Sequence, residues 1–201
     1  MSLISSAAFV ALLTVGGIGC AGDGSAKHLA GYTVDPPTVV GDLSLPDAVT
    51  GKPFRFVAEP EGVLVVYFGY TFCPDVCPTT LAALRTALHS LGDDAHRVRL
   101  AMTTIDPLRD TAEVLPGYVQ SFVPDATALR TDDDTALRTV TDRFGASYSV
   151  AVAADGTEDV SHSGSMYLVN EAGTVLDTIP FGVTPKAIAS DLGILLHQVS
   201  T

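Results

Sequence analysis

The sequence is poor in basic side chains and contains no internal repeat. Its 201 residues include 11 Lys and Arg against 23 Asp and Glu, which gives a formal net charge of −12. A nucleic-acid-binding face needs clustered Lys and Arg, and the few present here are scattered, so nucleic-acid binding is not expected. The length suits one domain of ordinary size with a hydrophobic core, preceded by a leader.

The sequence also lacks a hydrophobic run long enough to be a comfortable membrane span. The apolar stretch at 3–19 has about 17 residues, the short limit for a transmembrane helix. It ends in small residues followed by Cys20, the pattern that a lipoprotein signal peptidase accepts. We therefore predict an export signal at 1–19 and a flexible tether at 20–30 that starts with a lipid-bearing Cys20. An uncleaved leader that acts as a single membrane anchor is the alternative, and in both cases the domain at 31–201 is exported.

Cysteine is scarce, and the two besides Cys20 lie close together. Cys73 and Cys77 follow the apolar run 63–68, whose β-branched and aromatic residues predict a buried strand covered on both faces. Pro78 has no N–H to donate and suits the start of a helix, which we expect to end by residue 92. Cys77 would then lie at the N-terminal edge of this helix, where the helix dipole is expected to lower the thiol pKa and favour thiolate.

Three roles remain open for this pair of cysteines. Pro74 favours an extended Cys73, so the step from Cys73 to Cys77 is predicted to be a tight turn that brings the sulfurs together. The pair can be a structural disulfide of an exported protein, a redox dithiol or a thiolate metal site. A metal site would point to copper(I) before zinc, because structural zinc usually has four protein ligands and no other cysteine is near. Spacing alone does not choose between the redox and the metal roles.

The rest of the sequence alternates predicted strands and helices. A small β lead-in at 32–56 precedes the first strand, and a second strand at 97–105 ends at Asp106. The later predicted elements are a helix at 110–122 capped by Asp110 and Glu113, a strand at 127–130, a helix at 131–145, hairpins at 147–164 and 166–179, and a helix at 185–197. This order predicts an α/β thioredoxin-like sandwich, with a central mixed sheet flanked by helices, an N-terminal β lead-in and an inserted hairpin.

Two acidic features have both a functional and a structural interpretation. Asp106 lies where a strand stops, at the edge of an α/β sheet where sites collect, although an Asp-Pro turn explains it equally well. The acidic run 132–134 resembles a cation site. Acidic residues in the first turn of a helix are more commonly matched to the helix dipole, and we favour that interpretation.

Three segments together resemble the signatures of a known family. They are 69–81 (GYTFCPDVCPTTL), 105–111 (IDPLRDT) and His162-Ser163 ahead of 166–169 (MYLV). In this order they are similar to the three signatures of the Sco/SenC family, whose members are membrane-tethered thioredoxin-like proteins. Members of that family bind copper and help to assemble the dinuclear copper site of cytochrome c oxidase.

The resemblance implies a ligand set and a partner. Cys73, Cys77 and His162 would bind one copper ion per chain, as copper(I) or copper(II), and Asp106 would lie close by and tune the site. Two thiolates and one imidazole accept copper(I) at low coordination and leave a position open for a partner's ligands. The expected partners are the copper-site subunit of cytochrome c oxidase, another copper chaperone or a thiol reductant. The expected location is the bacterial cell envelope, outside the cytoplasm, with the N-terminus and Cys20 at the membrane.

Three functions follow from the residues and the resemblance. A copper metallochaperone is preferred, because His162 and Asp106 have no necessary role in a plain dithiol exchanger. A thiol-disulfide oxidoreductase that reduces the oxidase subunit's cysteines before metallation needs only Cys73 and Cys77. These two functions can coexist, because only the reduced pair can be loaded with copper. A redox-inert domain with one structural disulfide is the third.

Overall fold

The computed structural model describes residues 28–152 and 158–201. The predicted export signal, Cys20, most of the tether and the turn expected at 154–156 lie outside the described residues. Among the helices of the described part, none combines the length and the apolar character that a membrane crossing requires.

Nine strands and four α-helices follow one another in this part of the chain. The strands are β1 (Ser44–Pro46), β2 (Pro53–Arg55), β3 (Val63–Gly69), β4 (Val98–Thr104), β5 (Thr127–Leu129), β6 (Tyr148–Val152), β7 (Glu158–His162), β8 (Met166–Val169) and β9 (Val175–Ile179). The helices are α1 (Val76–Leu91), α2 (Leu115–Gln120), α3 (Asp134–Phe144) and α4 (Pro185–Val199), and a 3-10 helix (Gly92–Arg97) follows α1.

The central sheet has five strands in the order β5-β4-β3-β8-β9. In it β3 is parallel to β4 and antiparallel to β8, while β5 is parallel to β4 and β9 is antiparallel to β8. Two further antiparallel pairs stand apart from this sheet, β1 with β2 and β6 with β7. This confirms the predicted thioredoxin-like sandwich, with its mixed sheet, its N-terminal β lead-in and its inserted hairpin.

Strand β3 is the centre of the hydrophobic core. All seven of its residues are buried, as expected for an apolar strand that is hydrogen-bonded on both sides and covered on both faces. Because neighbouring side chains in a strand point to opposite faces, Phe68 and Tyr67 reach different layers. Phe68 packs edge-on against Phe144 of α3, with ring centroids 5.3 Å apart, whereas Tyr67 lies beside Cys77 of α1. The two cysteines are therefore on the α1 face of the sheet.

The helix after β4 differs from the prediction. It begins at Leu115 and is only six residues long, and its first residue is preceded by Val114 without a side-chain cap. The predicted capping box of Asp110 and Glu113 is wrong, because Asp110 is fully buried and its carboxylate binds other donors, described below. Pro116 lies in the first turn of the helix, where a missing N–H costs no hydrogen bond.

The acidic run 132–134 lies at the N-terminus of α3, where Asp133 caps the helix. The Asp133 carboxylate accepts hydrogen bonds from the backbone N–H groups of Thr135 (2.9 Å) and Ala136 (3.1 Å). Asp132 and Asp134 form ion pairs with nearby arginines. Asp133 therefore satisfies backbone donors at the N-terminus of α3, where a negative charge also complements the helix dipole.

The first described residues are attached to the edge of the domain. Tyr32 pairs with Thr178 of β9 through two backbone hydrogen bonds of 3.0 and 2.9 Å. The Asp191 carboxylate, on α4, accepts hydrogen bonds from the backbone N–H groups of Ala30 (2.9 and 3.0 Å) and Gly31 (3.1 Å). Contact with the domain therefore includes Ala30, one residue before the predicted boundary.

A second buried carboxyl group lies at this attachment. Asp177 of β9 is 0 % exposed and Asp191 is 1 % exposed. A Cβ atom on Gly31 would lie 2.2 Å from the Asp177 carboxyl oxygen, so the N-terminal segment passes directly over this group. Burial, together with the neighbouring Asp191 charge, raises the pKa of Asp177 to about 7.

This raised pKa predicts a stability that falls as the pH rises. Between roughly pH 4 and 7 the folded chain keeps a proton on Asp177 that the unfolded chain has lost, so the free energy of unfolding decreases across that range. The variant Asp177→Asn lacks this group. We expect wild type to lose about 1–2 kcal/mol relative to this variant between pH 5 and 8 in urea unfolding, a figure that allows for solvent screening. The exposed Asp125→Asn serves as control, and parallel pH profiles of wild type and Asp177→Asn would contradict the prediction.

Candidate metal centre

Three side chains from separate parts of the chain converge beside the end of β3. Cys73 lies in the loop after β3, Cys77 lies in the first turn of α1, and His162 is the last residue of β7. The two sulfur atoms and the imidazole nitrogen lie within 4.8 Å of one another. This cluster contains the three residues that the family resemblance implied as ligands.

Gly69 makes this convergence possible. It ends β3, and a Cβ atom there would lie 2.9 Å from the Cys77 sulfur and 2.8 Å from the Tyr67 ring. Real Cβ atoms do not approach other heavy atoms so closely. A residue without a side chain therefore lets the sulfur rest against the end of the strand.

The hydrogen bonds of the site orient the imidazole. The Nδ1 atom of His162 lies 2.9 Å from the Ser163 carbonyl oxygen, which can only accept, so Nδ1 carries the hydrogen. The lone pair of Nε2 therefore points into the site, where Nε2 lies 3.3 Å from the Cys77 sulfur. The backbone N–H of Cys77 donates to the Cys73 sulfur at 3.3 Å. One imidazole lone pair and two sulfurs thus face a common point.

Aromatic rings enclose His162. The rings of Tyr67 and Tyr70 meet the imidazole edge-on, with centroids 6.1 and 5.8 Å away. Burial lowers the pKa of His162 below its ordinary value, so the imidazole is neutral and available as a ligand. Tyr70 is only 7 % exposed, whereas Phe72, two residues later, is 61 % exposed.

The expectation of a lowered thiol pKa is wrong for Cys77. Burial raises its pKa to about 12, and the neighbouring Tyr67 side chain only partly opposes this rise. Cys77 is 0 % exposed, so its thiolate would lose hydration that the helix N-terminus does not replace. Without metal, this thiol is therefore protonated at neutral pH, and a metal ion must displace the proton.

Asp106 is buried just after the end of β4 and is paired with a cation. It is 2 % exposed, and its carboxylate forms an ion pair with the guanidinium of Arg109. That guanidinium lies 5.8 Å from the centre of the Tyr70 ring and 5.1 Å from that of Phe72. Asp106 thus connects to the cysteine loop through Arg109.

Asp110 is a residue of this region that sequence reasoning assigned to another role. Its carboxylate is fully buried and accepts hydrogen bonds from the backbone N–H of Thr71 and from the Thr104 hydroxyl, at 3.0 and 2.6 Å. Its spacing from Glu113 matched a capping box, and nothing local in the sequence indicates Thr71 as its partner. The contact exists because the ends of β3 and β4 are neighbours, with Gly69 paired to Thr104.

A cleft of about 460 Å³ leads to the metal ligands. Cys73 and His162 line it, together with Tyr70, Phe72 and Arg109. Cys73 is 8 % exposed, whereas Cys77 is fully buried. The arrangement can hold one soft metal ion between two sulfurs and a nitrogen, with access from the side of Cys73 and His162.

This chain is similar to a family model, to known proteins and to solved structures. The SCO1/SenC family model matches residues 47–197. An SCO2-like protein of Rickettsia prowazekii is 32% identical over 127 residues, which cover 62% of this chain and 61% of that relative, less than two thirds of its length. The structure of ScoI from Bradyrhizobium japonicum with copper bound is 28% identical, with a TM-score of 0.66, and the match covers 78% of this chain and 99% of that one.

A second solved structure agrees over a longer stretch. The apo Sco1 protein from Thermus thermophilus is 30% identical with a TM-score of 0.69, and the match covers 89% of this chain and 100% of that one. The family model spans the central sheet and all three converging ligands. The family indicated by the three sequence signatures is thus confirmed, and the chain belongs to the SCO1/SenC family.

Proposed function

We propose that this chain binds one copper ion through Cys73, Cys77 and His162 and delivers it to the dinuclear copper site of cytochrome c oxidase. The observation that carries the proposal is the convergence of two sulfurs and one correctly oriented imidazole nitrogen within 4.8 Å. The copper-bound structure of the Bradyrhizobium relative supports the choice of metal. Delivery to the oxidase rests on what members of the family do.

The donor set suits copper(I). Thiolate is a soft ligand and imidazole a borderline one, a combination that favours copper(I) over harder cations. Both thiols must give up their protons as the metal enters, so copper binding is expected to release protons. Three protein ligands leave a coordination position open on the side of the cleft, where Cys73 and His162 are reached before Cys77.

A second candidate function uses the same two cysteines. Cys73 faces the cleft and Cys77 is buried behind it, the arrangement of an attacking and a resolving thiol. The Cys73 thiolate would attack a disulfide of the oxidase subunit and form a mixed disulfide, releasing one partner thiolate. Cys77 would then displace the second, so the partner gains two electrons and this chain ends with a Cys73–Cys77 disulfide. A thiol reductant would have to restore the pair before copper could be loaded.

Copper binding is tested by anaerobic titration of the reduced protein with copper(I) against a chromophoric competitor. Wild type is expected to bind one equivalent, and His162→Ala is expected to bind at least about 10-fold more weakly, because one ligand is lost. If copper(II) is held, the same variant alters the thiolate-to-copper absorption. Cys73→Ser/Cys77→Ser is expected to lose tight binding.

The matched control for this titration is His89→Ala. His89 is exposed on the last turn of α1, far along the helix from the cysteines, and its removal is expected to leave binding unchanged. Stoichiometric, unperturbed copper binding by the double serine variant would refute the ligand assignment.

Asp106 is proposed to tune the site through its ion pair with Arg109. Asp106→Asn weakens the contact that holds the guanidinium over Phe72 and Tyr70, so we expect copper(I) affinity or the rate of thiol oxidation to change about 10-fold or more. The fold is expected to stay intact. Asp94→Asn is the control, because Asp94 forms an ion pair of the same spacing with Arg97, away from the site. A loss of thermal stability with unchanged copper properties would make Asp106 a turn residue only.

The anchoring of the chain is a further part of the proposal. We propose export to the bacterial cell envelope and attachment to the membrane through a lipid on Cys20, since stable anchoring takes at least two hydrophobic contributions and a lipoprotein cysteine can supply them. A tether that holds the domain near a membrane-embedded oxidase raises the effective concentration of that partner.

Mass spectrometry of the mature N-terminus, from cells that express the full chain, tests this anchoring. A lipidated Cys20 in the membrane fraction is the expected result, and Cys20→Ser is expected to lose the lipid. An intact leader would indicate a single-span anchor instead. An unmodified N-terminus beyond Cys20 in the soluble fraction would contradict both forms of attachment.

A further inference from the structure

We propose that Asp110 is a positioning residue, whose buried carboxylate clamps Thr71 and so fixes the loop that carries Cys73. The consequence for copper rests on the proposed function, whereas the clamp itself is a property of the metal-free chain. The observation that carries the proposal is that the fully buried Asp110 carboxylate accepts hydrogen bonds from both the backbone and the side chain of Thr71. Thr71 lies two positions before the ligand Cys73.

The contacts of Asp110 satisfy both carboxylate oxygens. The backbone N–H of Thr71 lies 3.2 Å from Oδ1 and 3.0 Å from Oδ2, and the Thr71 hydroxyl donates to Oδ1. The hydroxyl of Thr104 donates to Oδ2 at 2.6 Å. Asp110 is 0 % exposed, so water cannot replace these donors. Hydrogen bonds to a carboxylate are stronger than those between neutral groups, and this one has donors from the loop after β3 and from the end of β4.

These contacts act on the cysteine loop because of where Thr71 lies. Strand β3 ends at Gly69 and α1 begins at Val76, so the residues between them belong to no strand or helix. Thr71 is the point in this loop at which backbone and side chain are both bound to another part of the chain. The N–H of Cys73 reaches back to the Tyr70 carbonyl at 3.4 Å, so a shift of this segment moves Cys73 with it.

Arg109, the residue before Asp110, also contacts the cysteine loop, from its solvent-facing side. The Arg109 guanidinium lies over the rings of Tyr70 and Phe72, on either side of Thr71 in the sequence. The turn that carries Asp110 therefore contacts three successive residues of the cysteine loop. Because Asp110 makes the buried, hydrogen-bonded part of this contact, its removal is expected to loosen the loop most.

A fixed loop matters for metal binding. The Cys73 sulfur must stay near the Cys77 sulfur and the Nε2 atom of His162 for all three to reach one ion. Ligands that are already in place cost less ordering entropy on binding, and groups that orient metal ligands usually change affinity by about 10–100-fold when removed. Asp110 is thus expected to affect copper affinity without touching copper.

The clamp is tested first in the reduced, metal-free protein by amide hydrogen exchange measured by NMR. The variants are Asp110→Asn, which removes the charge at nearly constant shape, and Thr71→Val, which removes the hydroxyl. We expect amide exchange in the loop at 70–73 to become about 10-fold faster or more, while exchange in β3, which reports on opening of the core, changes much less. Thr71→Ser keeps the hydroxyl and is expected to behave as wild type.

The matched control is Asp47→Asn. The Asp47 carboxylate accepts hydrogen bonds from the N–H groups of Val49 and Thr50 and from the Thr50 hydroxyl, the same pattern of contacts in a loop away from the cysteines. This variant is expected to leave exchange at 70–73 unchanged. If exchange at 70–73 is not faster in Asp110→Asn and Thr71→Val, or rises no more than exchange in β3, the clamp is refuted. Because Thr71 is partly exposed, Thr71→Val gives a result even if Asp110→Asn fails to fold.

Copper(I) competition on the same variants supplies the second measurement. We expect the Kd for copper(I) to rise about 10-fold or more in Asp110→Asn and Thr71→Val, and to stay at the wild-type value in Thr71→Ser and Asp47→Asn. An unchanged Kd in both loosened variants would overturn the role of Asp110 in positioning the ligand. If exchange responds as expected but wild type binds no copper, the clamp stands and the proposed function fails, so the two failures are distinguishable.

Discussion

The rest of the site depends on the close approach of the Cys77 sulfur to the end of β3. A side chain at Gly69 would overlap both this sulfur and the Tyr67 ring, so the helix that carries Cys77 can start here only behind a glycine. Strand β3 is buried along its whole length and hydrogen-bonded on both sides, which leaves it little freedom to shift. The position of α1, and with it the cysteine loop, is therefore set by the most constrained strand of the sheet.

Two opposing effects act on the Cys77 thiol, and their magnitudes decide its state. A helix N-terminus stabilises an exposed negative charge by about 0.3–1 kcal/mol, which is less than one pKa unit. Burial moves the pKa of Cys77 from 9.0 to about 12, so the loss of hydration exceeds the gain from the dipole. Together with a neutral His162, this leaves two of the three donors of the metal-free site uncharged. A cation that binds thiolate strongly enough to displace a proton is favoured there over one that relies on charge alone.

The element order and the sheet could be predicted from the sequence, because hydrophobic runs and turn residues report on strands and helices locally. The cysteines could also be identified, since their position between an apolar strand and a proline-started helix is a local feature. His162 could not be assigned from its own surroundings, and only the resemblance to a family singled it out. Asp110 was assigned to the wrong role, because its partner Thr71 is 39 positions away and becomes its neighbour only when β3 and β4 pair.

The three ligands differ in their access to solvent, and this difference bears on how copper could leave. Cys73 and His162 line the cleft, whereas Cys77 is fully buried at the end of β3. An incoming partner ligand would therefore meet copper on the side of Cys73 and His162, and it could replace one of these while Cys77 still holds the ion. Of the two, Cys73 is in a loop that depends on Asp110 and Arg109, and His162 is at the end of a short two-stranded hairpin. Under the proposed function, Cys77 is the most buried of the three ligands and is thus the one positioned to release copper last.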